Sequence, residues 1–136
     1  MFLLDTNVVS ELRKGARADE GVRSWFKSVD DAGLFLSVLV VGELRQGVER
    51  VRLRDAGQAA HLDRWLRKLT DEFAERLLPV DDRVAELWGR LNVPDPLSAV
   101  DGLLAATSIV HGLTLVTRNL RDVRRTGARL FNPFDA

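Results

Sequence analysis

The sequence lacks cysteine entirely and contains only two histidines, His61 and His111. The absence of cysteine excludes disulfide bonds, zinc–thiolate sites and thiol chemistry, and two histidines do not favour a multi-histidine metal site. No apolar run approaches the ~20 residues that a membrane span requires, and no signal peptide is visible. We therefore expect a cytosolic protein that has no membrane partner.

An excess of charge of one sign is also missing, because 20 acidic residues balance 20 basic ones. The basic side chains are nevertheless uneven in type, with 17 arginines among the 20. Arginine binds phosphate groups in bidentate geometry, so this excess fits a nucleic-acid partner. Codon usage in a GC-rich genome also explains the total, and each arginine cluster has to be judged by its neighbours.

The hydrophobic fraction, 46% of 136 residues, is enough for one domain that spans residues 1–136. Short apolar runs predict strands at residues 2–4, 34–36, 77–80, 113–116 and 129–131. Segments with helical spacing lie between them, including a long amphipathic helix or helical hairpin over residues 55–77 and a helix that Ser98 opens. This alternation, without repeats or linkers, predicts an α/β fold with a parallel sheet covered by helices.

The most informative segment is Asp5, Thr6 and Asn7, which follow the first apolar strand directly. Polar side chains at the carboxyl end of a buried strand lie where open α/β sheets bind ligands. The alternative is that Asp5 or Thr6 only caps the following helix. The strand at residues 113–116 repeats the pattern, because it ends in small polar groups as well.

Two further acids lie in segments that are unusual for solvated helix positions. Glu43 has Leu39 and Gly47 as its helical neighbours, so one side is apolar and the other is open, as a carboxylate facing a cleft would need. The alternative is a surface glutamate paired with an arginine. Asp101 completes the pattern Ser-x-x-Asp, which is typical of a capping box, but its helical neighbours form a largely apolar face.

These segments together resemble the PIN-domain ribonucleases, specifically the VapC-type toxins of type II toxin–antitoxin pairs and their FitB-like branch. The resemblance spans nearly the whole chain and rests on four motifs in the expected order, which are Phe2-Leu3-Leu4-Asp5-Thr6-Asn7, Gly42-Glu43-Leu44-Arg45-Gln46-Gly47, Ala99-Val100-Asp101-Gly102-Leu103-Leu104-Ala105-Ala106 and Gly112-Leu113-Thr114-Leu115-Val116-Thr117-Arg118-Asn119. It implies a three-layer α/β/α sandwich and a Mg²⁺-dependent endoribonuclease, in which Mn²⁺ can substitute for Mg²⁺.

The resemblance also assigns the candidate site. Its first three acids correspond to Asp5, Glu43 and Asp101, while its fourth position, often Asp, is Asn119 here, with Asp122 three residues later. We expect Asp5 and Asp101 to bind the metal directly, and Glu43 and Asp122 to complete the catalytic set. The side chains expected to orient the carboxylates through hydrogen bonds are Thr6, Asn7, Ser37, Thr117 and Asn119.

An acidic cleft needs basic groups around it if it is to bind RNA. Arg45, Arg118 and Arg121 are the candidates, because each lies next to one of the proposed acidic segments. The resemblance further implies a VapB-type antitoxin as partner and a homodimer within a larger toxin–antitoxin complex. Apolar residues at helical spacing are candidates for the antitoxin groove, although each could equally be core, and these are Trp25, Trp65, Leu66, Leu69 and Phe73.

Two other functions compete with this interpretation. A degenerate PIN fold that binds RNA or protein without cleavage predicts missing acids, whereas all three are present. A phosphohydrolase of the haloacid-dehalogenase type also begins with an acid after a strand, but its chemistry needs a second aspartate at position 7, which is Asn7 here.

Overall fold

The computed structural model describes residues 1–135, which form five strands and seven α-helices within that range. The strands are β1 (Phe2–Leu4), β2 (Leu34–Ser37), β3 (Leu77–Leu78), β4 (Thr114–Val116) and β5 (Leu130–Phe131). The helices are α1 (Thr6–Leu12), α2 (Glu20–Ser28), α3 (Val38–Arg52), α4 (Ala56–Glu72), α5 (Asp82–Leu91), α6 (Ala99–Val110) and α7 (Leu120–Val123). Short 3₁₀ turns at Gly15–Arg17, Asp31–Gly33, Ala74–Arg76, Arg124–Thr126 and Pro133–Asp135 complete the described structure.

The five strands form one parallel sheet in the order β3-β2-β1-β4-β5. The chain first moves outward from β1 through β2 to β3, and then crosses back to the other side of β1 to form β4 and β5. Right-handed crossovers therefore place the helices before β3 on one face of the sheet and the later helices on the other. The contacts agree, because α3 packs on α1 and α4, whereas α6 packs on α5 and α7.

Near-continuous apolar strands fill the centre of this arrangement, as expected for a parallel sheet that is covered on both faces. Leu3, Leu36 and Leu115 are each at most 1% exposed. The predicted three-layer α/β/α sandwich with a central parallel sheet is confirmed. No helix within residues 1–135 is long and apolar enough to cross a membrane.

The element boundaries differ from the sequence expectations in a few places. Residues 55–77 contain one helix, α4, because Asp55 caps its start by accepting from Gln58 N and the helix ends before Phe73. The third strand stops at Leu78 rather than residue 80, since Pro79 has no N–H for the sheet. The last helix before β4 ends at Val110, with His111 as its C-cap residue.

Candidate active site

The sheet brings the ends of β1 and β4 together at its carboxyl edge. The pairing of Leu4 with Val116 is extended by one hydrogen bond, from Asp5 N to the Val116 carbonyl (2.9 Å). Thr117, the residue after β4, consequently lies beside Asp5. The strand order reverses at β1, because β2 and β3 lie on one side of it and β4 and β5 on the other. The carboxyl edge of the sheet at such a point is the usual ligand site of open parallel sheets.

Asp5 is a buried carboxylate, 8% exposed, at the N-cap of α1. Thr117 Oγ1 donates to its Oδ2 (2.7 Å), and Thr6 N donates to its Oδ1 (2.7 Å). Burial raises the pKa of Asp5 above its ordinary value, those two hydrogen bonds oppose the shift, and the charges of Asp101 and Glu43 add to it. Asp5 therefore caps α1 and is at the same time a carboxylate whose pKa two other acids raise.

Glu43 reaches the same region from α3, which begins directly after β2. The Thr6 hydroxyl donates to Glu43 Oε1 (2.5 Å), so that Thr6 links α1 to α3 through its side chain and binds Asp5 through its backbone. Glu43 lines a hollow of about 200 Å³ together with Thr6, Gly47 and Trp65. The expected open space beside Glu43 is present.

Asp101 is the third residue of α6, in the first turn of the helix. Its Oδ2 accepts hydrogen bonds from Ser98 Oγ (2.9 Å) and Asn119 Nδ2 (3.4 Å), and Ser98 Oγ in turn accepts from Asp101 N (3.4 Å). The cap contact between Ser98 Oγ and Asp101 N agrees with the Ser-x-x-Asp pattern, whereas the hydrogen bond from the Ser98 hydroxyl to the Asp101 carboxylate was not foreseen. Asn119 N also donates to Thr117 Oγ1 (3.0 Å), which connects the Asp101 and Asp5 carboxylates through the end of β4.

Three of the five side chains expected to orient the acids contact a carboxylate, namely Thr6, Thr117 and Asn119. The other two have different partners. Ser37 is fully buried and accepts from Leu39 N (3.0 Å) as the N-cap of α3. Asn7 Oδ1 accepts from Arg118 N (3.5 Å), so it ties α1 to the segment after β4.

The three acids meet no basic side chain in the described part of the chain. Neither Asp5, Glu43 nor Asp101 lies within 4.0 Å of an arginine or lysine nitrogen there. Within residues 1–135, no three Asp, Glu, His or Cys side chains converge closely enough to hold one ion between them. The donor set is nevertheless made only of oxygen atoms and carries uncompensated negative charge, which fits a hard divalent cation that keeps several water ligands.

A cleft of about 670 Å³ opens beside Asp101, and we call it the arginine cleft. Its lining residues are Pro96, Leu97, Ser98, Asp101, Arg121, Asp122, Arg124 and Arg125. Asp122, proposed as the nearest acid to the fourth position, therefore shares a cleft with Asp101. Asn119 is the residue that hydrogen-bonds to the Asp101 carboxylate.

The three arginines proposed to bind RNA differ in their surroundings. Arg45 lies in the α3–α4 hairpin and donates to Glu49 (3.2 Å) and Asp63 (2.9 Å). Arg118 is exposed, with its guanidinium 4.4 Å from the centre of the Phe134 ring. Arg121 lines the arginine cleft. The partner of Arg45 was not foreseen, because Asp63 is 18 residues away on another helix.

An apolar groove of about 220 Å³, here called the Trp65 groove, lies on the α1–α4 face. Its lining residues are Leu4, Val9, Leu12, Arg13, Phe26, Trp65, Leu69, Glu72 and Phe73. Arg13 and Trp65 also line the hollow beside Glu43, so the groove continues toward the acids. Of the five candidates for this surface, Trp25 and Leu66 are not in the groove. Both belong to the core, where Trp25 packs its ring against Phe2 and Phe131.

The fold and the acidic edge define a parallel α/β protein with a polar site at the point where the strand order reverses. Comparison with known proteins agrees, because residues 2–128 match the PIN domain. The toxin FitB of Neisseria gonorrhoeae is 32% identical over 98% of this chain and 99% of its own length. The VapC ribonuclease Y4jK of Sinorhizobium fredii is 31% identical over 99% of both chains.

Among solved structures, the crystal structure of FitAcB from Neisseria gonorrhoeae superimposes with a TM-score of 0.90. That match covers 100% of both chains at 32% identity. The chain therefore belongs to the PIN-domain family and is related over its whole length to the FitB and VapC toxins.

Proposed function

We propose that this protein is a Mg²⁺-dependent endoribonuclease, with Mn²⁺ able to replace Mg²⁺, and that it acts as the toxin of a toxin–antitoxin pair. The single observation that carries the proposal is that three carboxylates, Asp5, Glu43 and Asp101, are linked through hydrogen bonds of Thr6, Thr117 and Asn119 at one edge of the sheet and, within residues 1–135, have no basic partner there. Such a group is unfavourable in the absence of a cation, since burial and the neighbouring acids raise the pKa of Asp5. The relatives named a toxin and a ribonuclease support the same activity.

In this proposal Asp5 and Asp101 hold the cation. A bound divalent ion would supply a Lewis acid that lowers the pKa of a water molecule and offsets charge on the scissile phosphate. Thr117 and Asn119 keep the two carboxylates in place through the hydrogen bonds described above. Glu43, fixed by the Thr6 hydroxyl, would orient the attacking water by accepting one of its protons in a hydrogen bond.

The test is cleavage of a defined RNA by the purified full-length chain, with Mg²⁺ and with EDTA. We expect Asp101→Asn and Glu43→Gln to reduce cleavage at least about 100-fold, because each removes an acid from the site. Glu86→Gln, on the exposed surface of α5, is the matched control and should leave cleavage unchanged. Full activity of Asp101→Asn, or equal cleavage in EDTA, would refute the proposal.

We further propose that a VapB-type antitoxin neutralises the protein, which would form a homodimer within the larger complex. The Trp65 groove supports this, because an amphipathic helix buries its apolar face in a groove of that kind. Its continuation past Arg13 to Glu43 would let the remainder of the partner reach the acids. Expression of the chain alone should stop growth, and co-expression with the small protein encoded beside it should restore growth.

A further inference from the structure

We propose that the RNA backbone approaches the carboxylates through the arginine cleft, where Arg121 and Arg124 bind phosphates on one side of the scissile bond. The inference rests on the nuclease function proposed above. It adds the direction from which the substrate enters and assigns a role to Arg124.

The position of the arginine cleft favours it as the path of the RNA. Asp101 is itself part of the lining of the arginine cleft, so a strand lying there places a phosphate next to this carboxylate. The hollow on the opposite side of the site, beside Glu43, is about 200 Å³, and its lining contains one arginine, Arg13, whose guanidinium carbon lies 5.9 Å from the centre of the Trp65 ring. Three arginines line the arginine cleft, so a charged sugar–phosphate backbone meets more positive charge there than in the hollow.

Three arginines of the α3–α4 hairpin are paired with carboxylates, whereas two of those in the arginine cleft are available to a phosphate. On the α3–α4 side, Asp63 accepts from Arg45, Arg52 and Arg67, and Glu49 accepts from Arg45 and Arg52. A phosphate at those arginines would have to displace carboxylates that already neutralise them. The hydrogen bonds from Arg45 and Arg67 hold the pKa of Asp63 well below its ordinary value, which shows that this pairing favours the ionised acid.

In the arginine cleft the situation is reversed. Within residues 1–135, neither Arg121 nor Arg124 forms a salt bridge, and both are exposed. A phosphate can bind them without breaking an ion pair. The cleft also contains the carboxylates of Asp101 and Asp122, which repel the phosphates of an RNA strand. Arg121 and Arg124 supply the positive charge that offsets this repulsion.

The wall of the arginine cleft is held by hydrogen bonds within the chain. The Arg125 guanidinium donates to the carbonyl oxygens of Leu91 (3.2 Å) and Asp95, which fastens the segment after α5 to the 3₁₀ turn at Arg124–Thr126. Leu97 N donates to Asn92 Oδ1 (2.8 Å) on the same segment. Arg125 thus holds the wall of the cleft that Arg121 and Arg124 line.

The experiment measures binding separately from cleavage. A fluorescein-labelled 12-nucleotide oligouridylate is titrated with the full-length chain in EDTA, and anisotropy gives Kd between 25 and 200 mM NaCl. Arg121→Gln and Arg124→Gln should each weaken binding about three- to tenfold at low salt and make the log–log salt dependence shallower by about 0.7. Arg124→Lys keeps the charge and should retain most of the affinity.

Arg52→Gln removes the same charge from the α3–α4 side and serves as the control, with Kd expected within about twofold of the wild type. The proposal is overturned if Arg52→Gln weakens binding as much as Arg124→Gln does, if both cleft variants bind normally, or if the wild type does not bind the oligomer at 25 mM NaCl. It is also overturned if the cleft variants bind RNA normally but lose the protein partner, because the cleft would then hold an acidic protein segment. Failure of the nuclease proposal would be seen separately, as absence of cleavage with Mg²⁺ despite binding in EDTA.

Discussion

Asp5 is placed by folding where an ionised carboxylate is poorly stabilised. Its side chain is buried, two hydrogen-bond donors hold it, and two further acids lie close enough to raise its pKa. The folded chain therefore binds a proton at Asp5 more tightly than the unfolded chain does. The stability that this group contributes is fully present below its ordinary pKa of 3.8, and is lost as the pH rises through its raised pKa in the folded protein.

The first prediction follows from this dependence of stability on pH. In EDTA at neutral pH, Asp5→Asn should raise the Tm, because the amide can accept from Thr6 N while removing a buried negative charge. The difference from the wild type should shrink as the pH is lowered through the raised pKa. Differential scanning fluorimetry between pH 4 and pH 8 measures this, with exposed Asp122→Asn as the control. A lower Tm for Asp5→Asn at neutral pH would show that the hydrogen bonds of the carboxylate outweigh its burial.

The second prediction concerns the fourth position of the site. Asn119 touches the Asp101 carboxylate and the Thr117 hydroxyl, whereas Asp122 only lines the same cleft. Asn119→Ala should therefore lower kcat for RNA cleavage about 10- to 100-fold, as loss of an orienting hydrogen bond does in metal sites. Asp122→Asn should lower it less than tenfold. The reverse order in a steady-state assay would make Asp122 the fourth catalytic residue.

At the scale of elements, the packing of α5 on α6 positions Asp101. A Cβ atom added at Gly102 would lie 3.0 Å from Trp88 Cδ1 and 3.3 Å from Leu97 Cβ. Leu97 precedes Ser98, whose hydroxyl binds the Asp101 carboxylate. The glycine that lowers the helix propensity of α6 is thus explained by the approach of the Trp88 ring.

The third prediction tests this contact. Gly102→Ala should destabilise the protein by about 1–3 kcal/mol, because overpacking outweighs the better helix propensity of alanine. Gly89→Ala is the matched control on α5, where an added Cβ meets nothing within 4 Å, and it should stabilise the protein by up to about 1 kcal/mol. Urea unfolding measures both values. A stabilised Gly102→Ala variant would mean that Trp88 moves aside without cost.

The points at which the strands at the site end could be predicted from the sequence, whereas the contacts between helices could not. The carboxyl ends of β1 and β4 could be predicted, since parallel strands end at one edge and the apolar runs mark where each strand stops. The pairing of Arg45 with Asp63 and the contact of Trp88 with Gly102 could not, because both depend on which helix faces which. Helical spacing left open whether Trp25 belonged to the groove or to the core, and the structure places its ring against Phe2 and Phe131.

At the scale of the whole molecule, the acids separate two surfaces of opposite character. The arginine cleft lies on the side of α6 and α7, and five of its eight lining residues are charged. The Trp65 groove lies on the α1–α4 side, and its apolar lining continues toward Glu43 past Arg13 and Trp65. In the proposals made above, an RNA strand and a helical protein partner would use separate surfaces on either side of the carboxylates.

The last prediction is that substitutions on these two surfaces have separable effects. Trp65→Ala should weaken binding of the small protein encoded beside the toxin by about 30-fold, because an aromatic side chain central to an apolar groove contributes most of such an interface. It should leave Kd for oligouridylate in EDTA within about twofold, since Trp65 is absent from the arginine cleft. Arg124→Gln should show the opposite pattern, and Leu53→Ala, 90% exposed in the α3–α4 connection, should change neither.

Calorimetry with the purified partner and anisotropy with the RNA oligomer give the two constants for each variant. If Trp65→Ala weakened both ligands equally, the two surfaces would be one binding site, and the partner would inhibit by occupying the RNA path. If only partner binding falls, inhibition has to act where the surfaces meet, at Asp5, Glu43 and Asp101. The partner should then compete with Mg²⁺, and raising Mg²⁺ should restore part of the cleavage activity.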